Sequence, residues 1–228
     1  MSANSEAWSK FPEMYSDPQA RYSIWMERNP QPLGFFTSLY ELGRVRISTL
    51  GPDGTSSAAA ARHIGSSVGG DPRLLLRNSY EDAAEDVAEH RADCLVVANA
   101  YAGINRFYIS KKRVLATAFP FMTPPYGVAI RRDAKRPEKT FKLATHPAPR
   151  HLINDWFPVQ QLSNLVVIEA SSTSAAAKMV DAGEVCACIT TEPARRKHKL
   201  AFITQTVRIP MLWSVFVSTN HKIFLWST

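Results

Sequence analysis

Between Val45 and Ile64 the chain reads VRISTLGPDGTSSAAAARHI, and this stretch restricts the possible folds more than any other. Val45, Ile47 and Leu50 suit a short buried strand. Gly51-Pro52-Asp53-Gly54 is a turn whose glycines permit tight backbone geometry. Thr55, Ser56 and Ser57 are hydroxyl caps for a helix carrying Ala58–Ala61. A strand, a tight loop and a capped helix in this order point free amides and a positive helix end at whatever enters the loop, which favours a carboxylate or a phosphate. The lysine of a P-loop is missing, and so is the GxGxxG of a dinucleotide site. From the pattern alone, an ordinary capped helix after a turn is an equally good reading.

The rest of the chain continues an α/β alternation. Arg73–Leu76 reads as a strand, Tyr80–His90 as an amphipathic helix with exposed acids, and Leu95–Ala98 as a buried strand of a parallel sheet. Asn99, Tyr101 and Gly103 follow that strand's carboxyl end, where α/β folds build ligand sites. Val114–Ile130 is expected to cross to a second lobe, with Thr123-Pro-Pro-Tyr126 near the hinge. Leu143–Thr145 is a strand, and Pro147 is expected to open the next helix. Val166–Glu169 leads to Ser171–Ser174, which caps Ala175–Ala182 as a second anion cradle. Val185–Thr190, the helix Glu192–His198 and the strand Val207–Val217 complete the expected order, with HKIFLWST as a terminal strand or tail.

These segments resemble, in order, those of prephenate dehydratase domains, which have the two-lobed α/β fold of type II periplasmic binding proteins. GPDGTSS (51–57) is similar to the GPxGTxS signature. It is followed by CLVVANAYAGINRFY (94–108), MTPPYGVAIRRD (122–133), ATHPAPRHLINDWF (144–157), SSTSAAAKMVDAG (171–183) and CITTEPARRKHKLAF (188–202). In detail the chain looks most like a divergent branch, prephenate decarboxylases of the bacilysin-pathway type. The implied organisation is an aromatic-rich extension over 1–44, lobe 1 over 45–118, lobe 2 over 119–203, and a returning strand and tail over 204–228. A single catalytic unit with no ACT domain is the expectation.

The resemblance implies a site. Asn99 matches the asparagine of the family's Pro-x-Glu-Asn-Ser segment, although the acid before it is Ala98 here. Thr145-His146-Pro147 matches its Ser-His-Pro. Dehydratases carry Asn-x-Thr-Arg-Phe in the returning strand, where the threonine helps the ring hydroxyl leave and the arginine holds a carboxylate. This chain reads Ile209-Pro-Met211-Leu212-Trp213 there, and the threonine and arginine are gone. The implied activity is decarboxylation of prephenate to dihydro-4-hydroxyphenylpyruvate without aromatisation. Met211, Trp213 and Phe107 are expected to make surroundings of low polarity for the departing carboxylate. The pyruvyl carboxylate is expected on Thr55, Ser56 and Ser57 or on Ser172, Thr173 and Ser174. Thr123 and Thr145 are further candidate contacts, and Arg131 or Arg195 a charge-assisted one. For the proton donor the candidates are His146, Tyr126 and Tyr101, with a purely local role for His146 weighing equally. No cofactor and no metal is expected. The rivals are an altered dehydratase giving phenylpyruvate, an enzyme on a related cyclohexadienyl acid, and a non-catalytic carboxylate-binding module on the same fold.

Composition excludes several classes. No run of about 18 apolar residues is present, so no membrane-spanning helix is expected. The N-terminus has no apolar stretch after a basic start, so the cytoplasm rather than a secretory route is expected. The three cysteines, Cys94, Cys186 and Cys188, are expected to be buried thiols in apolar strand surroundings. A net charge of +7 gathers in Arg131–Lys142 and Arg195–Lys199. Without a recognition motif it reads as a solvated face with some steering of anions, not as a nucleic-acid surface. The partner expected is prephenate itself. Trp8, Phe11, Tyr15, Tyr22, Trp25, Phe35, Phe36 and Tyr40 are too many aromatics to stay in water, and they are expected to pack on the lobes or across a homodimer interface.

Overall fold

The computed structural model describes residues 32–41, 43–67, 69–134, 141–158 and 164–225. The Arg21–Glu27 helix expected from the sequence lies outside them. The elements in order are α1 (Pro32–Glu41), β1 (Arg46–Leu50), α2 (Ser56–Ser66), β2 (Arg73–Arg77), α3 (Tyr80–Ala88), β3 (Cys94–Ala98), α4 (Asn105–Tyr108) and β4 (Arg113–Met122). Then follow β5 (Tyr126–Arg131), β6 (Phe141–Thr145), α5 (Ile153–Trp156), β7 (Leu165–Glu169), α6 (Thr173–Asp181), β8 (Ala187–Thr191), α7 (Glu192–Lys197), β9 (Leu200–Phe202) and β10 (Pro210–Ser218).

The strands form two five-stranded sheets, β2-β1-β3-β10-β4 and β7-β6-β8-β5-β9, one per lobe. Each is built from parallel strands at one side (β1 with β2 and β3; β6 with β7 and β8) and antiparallel ones at the other. The chain crosses between sheets at residues 123–125 and returns into β10. The crossing is therefore narrower than the Val114–Ile130 expected, because Arg113–Met122 pairs along its length with β10 in the first sheet. Thr123 staples the two crossings: its amide donates to the Ile209 carbonyl at 3.0 Å, and its hydroxyl accepts from the Ile209 amide at 3.0 Å.

Buried Leu95, Val96, Val97, Val215 and Phe216 fill the first core, and Phe35, Phe36 and Leu39 of α1 pack into it. Burying a ring of that size contributes on the order of 2–3 kcal/mol, so this part of the extension is integral to lobe 1. The second lobe has cores on both faces of its sheet, around Leu143 and Ile189 on one and Ala176, Ala177 and Cys188 on the other.

Local differences from the sequence reading have local causes. Pro147 lies in a turn rather than opening a helix, and a short 3-10 turn at Arg150–Leu152 precedes the single turn α5. Lys222–Leu225 is a 3-10 turn, not a strand. Cys94 and Cys188 are buried, and burial pushes both thiols up, but Cys186 is exposed because it precedes β8 in a turn.

Candidate active site

A cleft of about 640 Å³ opens between the lobes, and both predicted cradles face it. On the first side Thr55 is the N-cap of α2, accepting from the Ala58 amide at 3.2 Å and donating to the Leu50 carbonyl at 3.0 Å. Ser56 and Ser57 follow as the first helical residues, with amides that precede any intrahelical acceptor. Gly51 makes the approach possible, since a Cβ there would meet the Leu76 Cβ at 2.9 Å. Gly54 has φ +94° and packs on the Ala194 backbone of the other lobe. On the opposite side Ser172 caps α6 by accepting from the Ala175 amide at 3.0 Å, and Ser171 and Thr173 line the cleft beside it.

Each serine hydroxyl of the first cradle is held by a tyrosine. Ser56 Oγ lies 2.6 Å from the Tyr126 hydroxyl, reaching across the lobes. Ser57 Oγ lies 2.7 Å from the Tyr80 hydroxyl, which also accepts from the Ala98 amide at 3.3 Å. Burial raises the pKa of Tyr126 and pushes that of Tyr80 up to about 12, against the opposing hydrogen bonds. Both are therefore neutral phenols at physiological pH.

His146 lines the cleft just after β6. Its Nδ1 accepts from the Ala148 amide at 3.2 Å, which assigns the proton of the neutral ring to Nε2. Burial lowers its pKa, with Glu169 opposing, so near neutrality the ring is an uncharged donor. His151, which the sequence reading passed over, lines the same wall, with Nδ1 3.2 Å from the Ala148 carbonyl. A carbonyl only accepts, so Nδ1 carries the proton there.

The remaining wall is apolar. Ala98, Ala100, Ile209, Met211 and Trp213 line it, and Trp213 packs edge-on against Phe121. Trp213 is 1% exposed, and its Nε1 has no acceptor among the described residues. Glu81 is the only carboxylate among the described lining residues, and no lysine or arginine lines the cleft among them. Tyr101 also lines it, but its hydroxyl donates to Glu81 Oε1 at 2.7 Å.

Several predicted residues are not brought to this cleft. Arg195 forks onto Glu192 at 2.6 and 2.8 Å and donates to the Leu200 carbonyl at 2.9 Å. Its hydrogen bond drops the Glu192 pKa to about 2. Arg131 is half-exposed, 3.6 Å from Asp133. Asn99 accepts from Ser214 at 2.8 Å, and Ser214 also meets the Tyr108 hydroxyl. Thr123 staples the crossings, and Thr145 donates to the His146 carbonyl at 3.0 Å. Ser174 donates to the Asp53 carbonyl across the lobes at 3.3 Å. Phe107 is buried in lobe 1 beneath the Arg113 guanidinium.

Two lobes closing two helix N-termini and a hydroxyl-rich floor over an apolar wall have the build of a protein that binds a small molecule in its cleft. No family model matches the sequence. Prephenate decarboxylase of Bacillus subtilis (strain 168) is 34% identical over 179 residues, covering 75% of this chain and 86% of the relative. That of Bacillus amyloliquefaciens is 35% identical over the same span. At this identity and coverage the chain belongs to the prephenate decarboxylase family. Its fold is that of a prephenate dehydratase from Arthrobacter aurescens, solved in complex with L-Phe, with a TM-score of 0.60 at 15% identity over 76% of this chain. The chain spans 60% of that solved chain's length.

Proposed function

We propose that this protein decarboxylates prephenate to dihydro-4-hydroxyphenylpyruvate and leaves the ring hydroxyl in place. The observation that carries this reading is the wall at Met211 and Trp213. Where the dehydratase pattern sets a threonine, an arginine that binds a carboxylate and a phenylalanine, this chain has Met211, Leu212 and Trp213, and its cleft is lined there by a thioether and an indole with no cation among the described residues. A carboxylate held there is poorly solvated, and losing carbon dioxide relieves that cost. The pyruvyl carboxylate goes to a helix N-terminus, where amides and dipole stabilise it without a full positive charge. The bond from the ring to the carboxylate breaks, its electron pair moves into the diene, and one ring carbon takes up a proton.

The hydrogen-bond pattern bears on the donors. Tyr101 donates its proton to Glu81, whereas Tyr126 shares a hydrogen bond with Ser56 in which either hydroxyl can donate. His146 presents Nε2–H as a neutral donor, which suits it to orienting the substrate. Solvent then supplies the proton that the ring carbon takes up.

The same reading takes the protein to be a cytoplasmic homodimer in secondary metabolism, on a route to a non-proteinogenic amino acid. The aromatics at positions 8–25 are the sequence feature behind the dimer, since Phe35 and Phe36 are buried in lobe 1, and no helix among the described residues is long and apolar enough to cross a membrane.

The test is to add purified protein to prephenate at neutral pH and follow product absorbance and mass. A product lighter by carbon dioxide alone, without the enol absorbance of phenylpyruvate in strong base, is expected. Phenylpyruvate as the main product would return the altered dehydratase to first place.

A further inference from the structure

Glu81 is an acid at the mouth of a cleft that must hold a dianion, which is an unfavourable place for a carboxylate unless it meets a donor. It is the second residue of α3, whose N-cap Ser79 accepts from the Asp82 amide at 3.0 Å. A negative side chain is favoured in that first turn. Its Oε1 takes two donors, the Tyr101 hydroxyl and Arg106 Nη1, each at 2.7 Å. Its Oε2 has no donor among the described residues. Tyr101 is itself fixed. Its ring packs against Tyr80 at 4.9 Å and Phe107 at 6.3 Å, and it lies so close over Gly103 that a Cβ there would meet its hydroxyl at 2.7 Å. The carboxylate is thus held in one orientation with one oxygen free.

The substrate offers a matching group. Fully ionised prephenate has acceptors at both carboxylates and the keto oxygen, and a single hydrogen-bond donor, the ring hydroxyl. The described cleft is rich in donors: the helix amides and the His146 Nε2–H. Its only carboxylate is Glu81. Resting on the prephenate reading above, we propose that Glu81 is the specificity residue that accepts the ring hydroxyl's hydrogen bond and keeps that hydroxyl on the ring during decarboxylation.

Two consequences follow from charge. The carboxylate repels the substrate's own carboxylates, so an inverted binding pose is penalised. The hydroxyl leaves as water only if its oxygen gains a proton. An oxygen that donates to a carboxylate and receives no acid from it stays put while the carboxylate carbon departs.

Glu81→Gln keeps the shape and the acceptor for Tyr101 and Arg106, but turns the free oxygen into an NH2 donor. Two ring-saturated probes that cannot react, 1-carboxycyclohexyl pyruvates with and without a 4-hydroxyl, are titrated by thermal shift against the wild type, Glu81→Gln and Glu81→Asp. The wild type should prefer the hydroxylated probe by about 10- to 100-fold, as expected for a hydrogen bond to a charged acceptor. Glu81→Gln should bring the two within a few-fold, Glu81→Asp should lie between, and Glu81→Gln should release some phenylpyruvate from prephenate. If Glu81→Gln weakens both probes equally and leaves their ratio as in the wild type, Glu81 merely props Tyr101 and the proposal is overturned. The probe ratio needs no turnover, so a failure of wild-type decarboxylation is a separate result.

Discussion

At the scale of single residues, two buried groups make measurable predictions. The Trp213 indole nitrogen has no acceptor among the described residues, and an unsatisfied buried donor costs about 1–3 kcal/mol. Trp213→Phe keeps the apolar wall and removes that donor. That nitrogen has no exposed surface to offer a substrate, so relief of its penalty offsets part of the cavity the smaller ring leaves, and calorimetry should show a melting temperature within a few degrees of the wild type's. His221, 6% exposed, accepts from the Ile223 amide through Nδ1 at 3.1 Å, and burial pulls its pKa down to about 4 from 6.5, against a pull upward from Asp93. The folded protein prefers the neutral ring and the unfolded chain takes the proton first. Stability is therefore complete above about pH 6.5 and falls as pH drops toward 4, by about 2 kcal/mol at pH 5. Urea midpoints at pH 7 and 5 should show this slope in the wild type and a shallower one in His221→Gln.

At the scale of elements, the two cradles show what a sequence reveals. Thr55 and Ser172 cap α2 and α6 as read from their spacing, because capping depends on residues three apart along the chain. Ser172→Ala should cost about 1 kcal/mol in urea unfolding and weaken substrate binding, while the Thr173 and Ser174 amides keep some affinity. Longer-range partners were not legible. Ser56 meets Tyr126 seventy residues away, and Tyr101 meets Glu81 from a helix whose acids read as exposed. Spacing along the chain holds no signal for such pairs, since the sheet order decides them. The arginines are a different case. Arg195 has Glu192 three residues before it on the same helix, a local ion pair that the sequence does contain and that outweighed its expected reach into the cleft.

At the scale of the whole molecule, the order of motifs foretold two lobes, and the closure between them emerged only in three dimensions. The Thr191 hydroxyl donates to the Gly54 carbonyl at 2.5 Å, Ser174 reaches the Asp53 carbonyl, and Ser56 meets Tyr126, so three contacts draw lobe 2 onto the first cradle's loop. Thr191→Val leaves a buried carbonyl unpaired and removes the cap of α7. It should lower stability by about 1–3 kcal/mol, and in small-angle scattering the substrate should compact the variant more than the wild type. The central claim is that this closed cleft removes carbon dioxide and spares the hydroxyl. The most direct measurement is the stoichiometry of carbon dioxide and phenylpyruvate released from prephenate by the purified protein near neutral pH. One equivalent of carbon dioxide with no phenylpyruvate is predicted. Equal amounts of the two, or saturable binding with no carbon dioxide released, would contradict it.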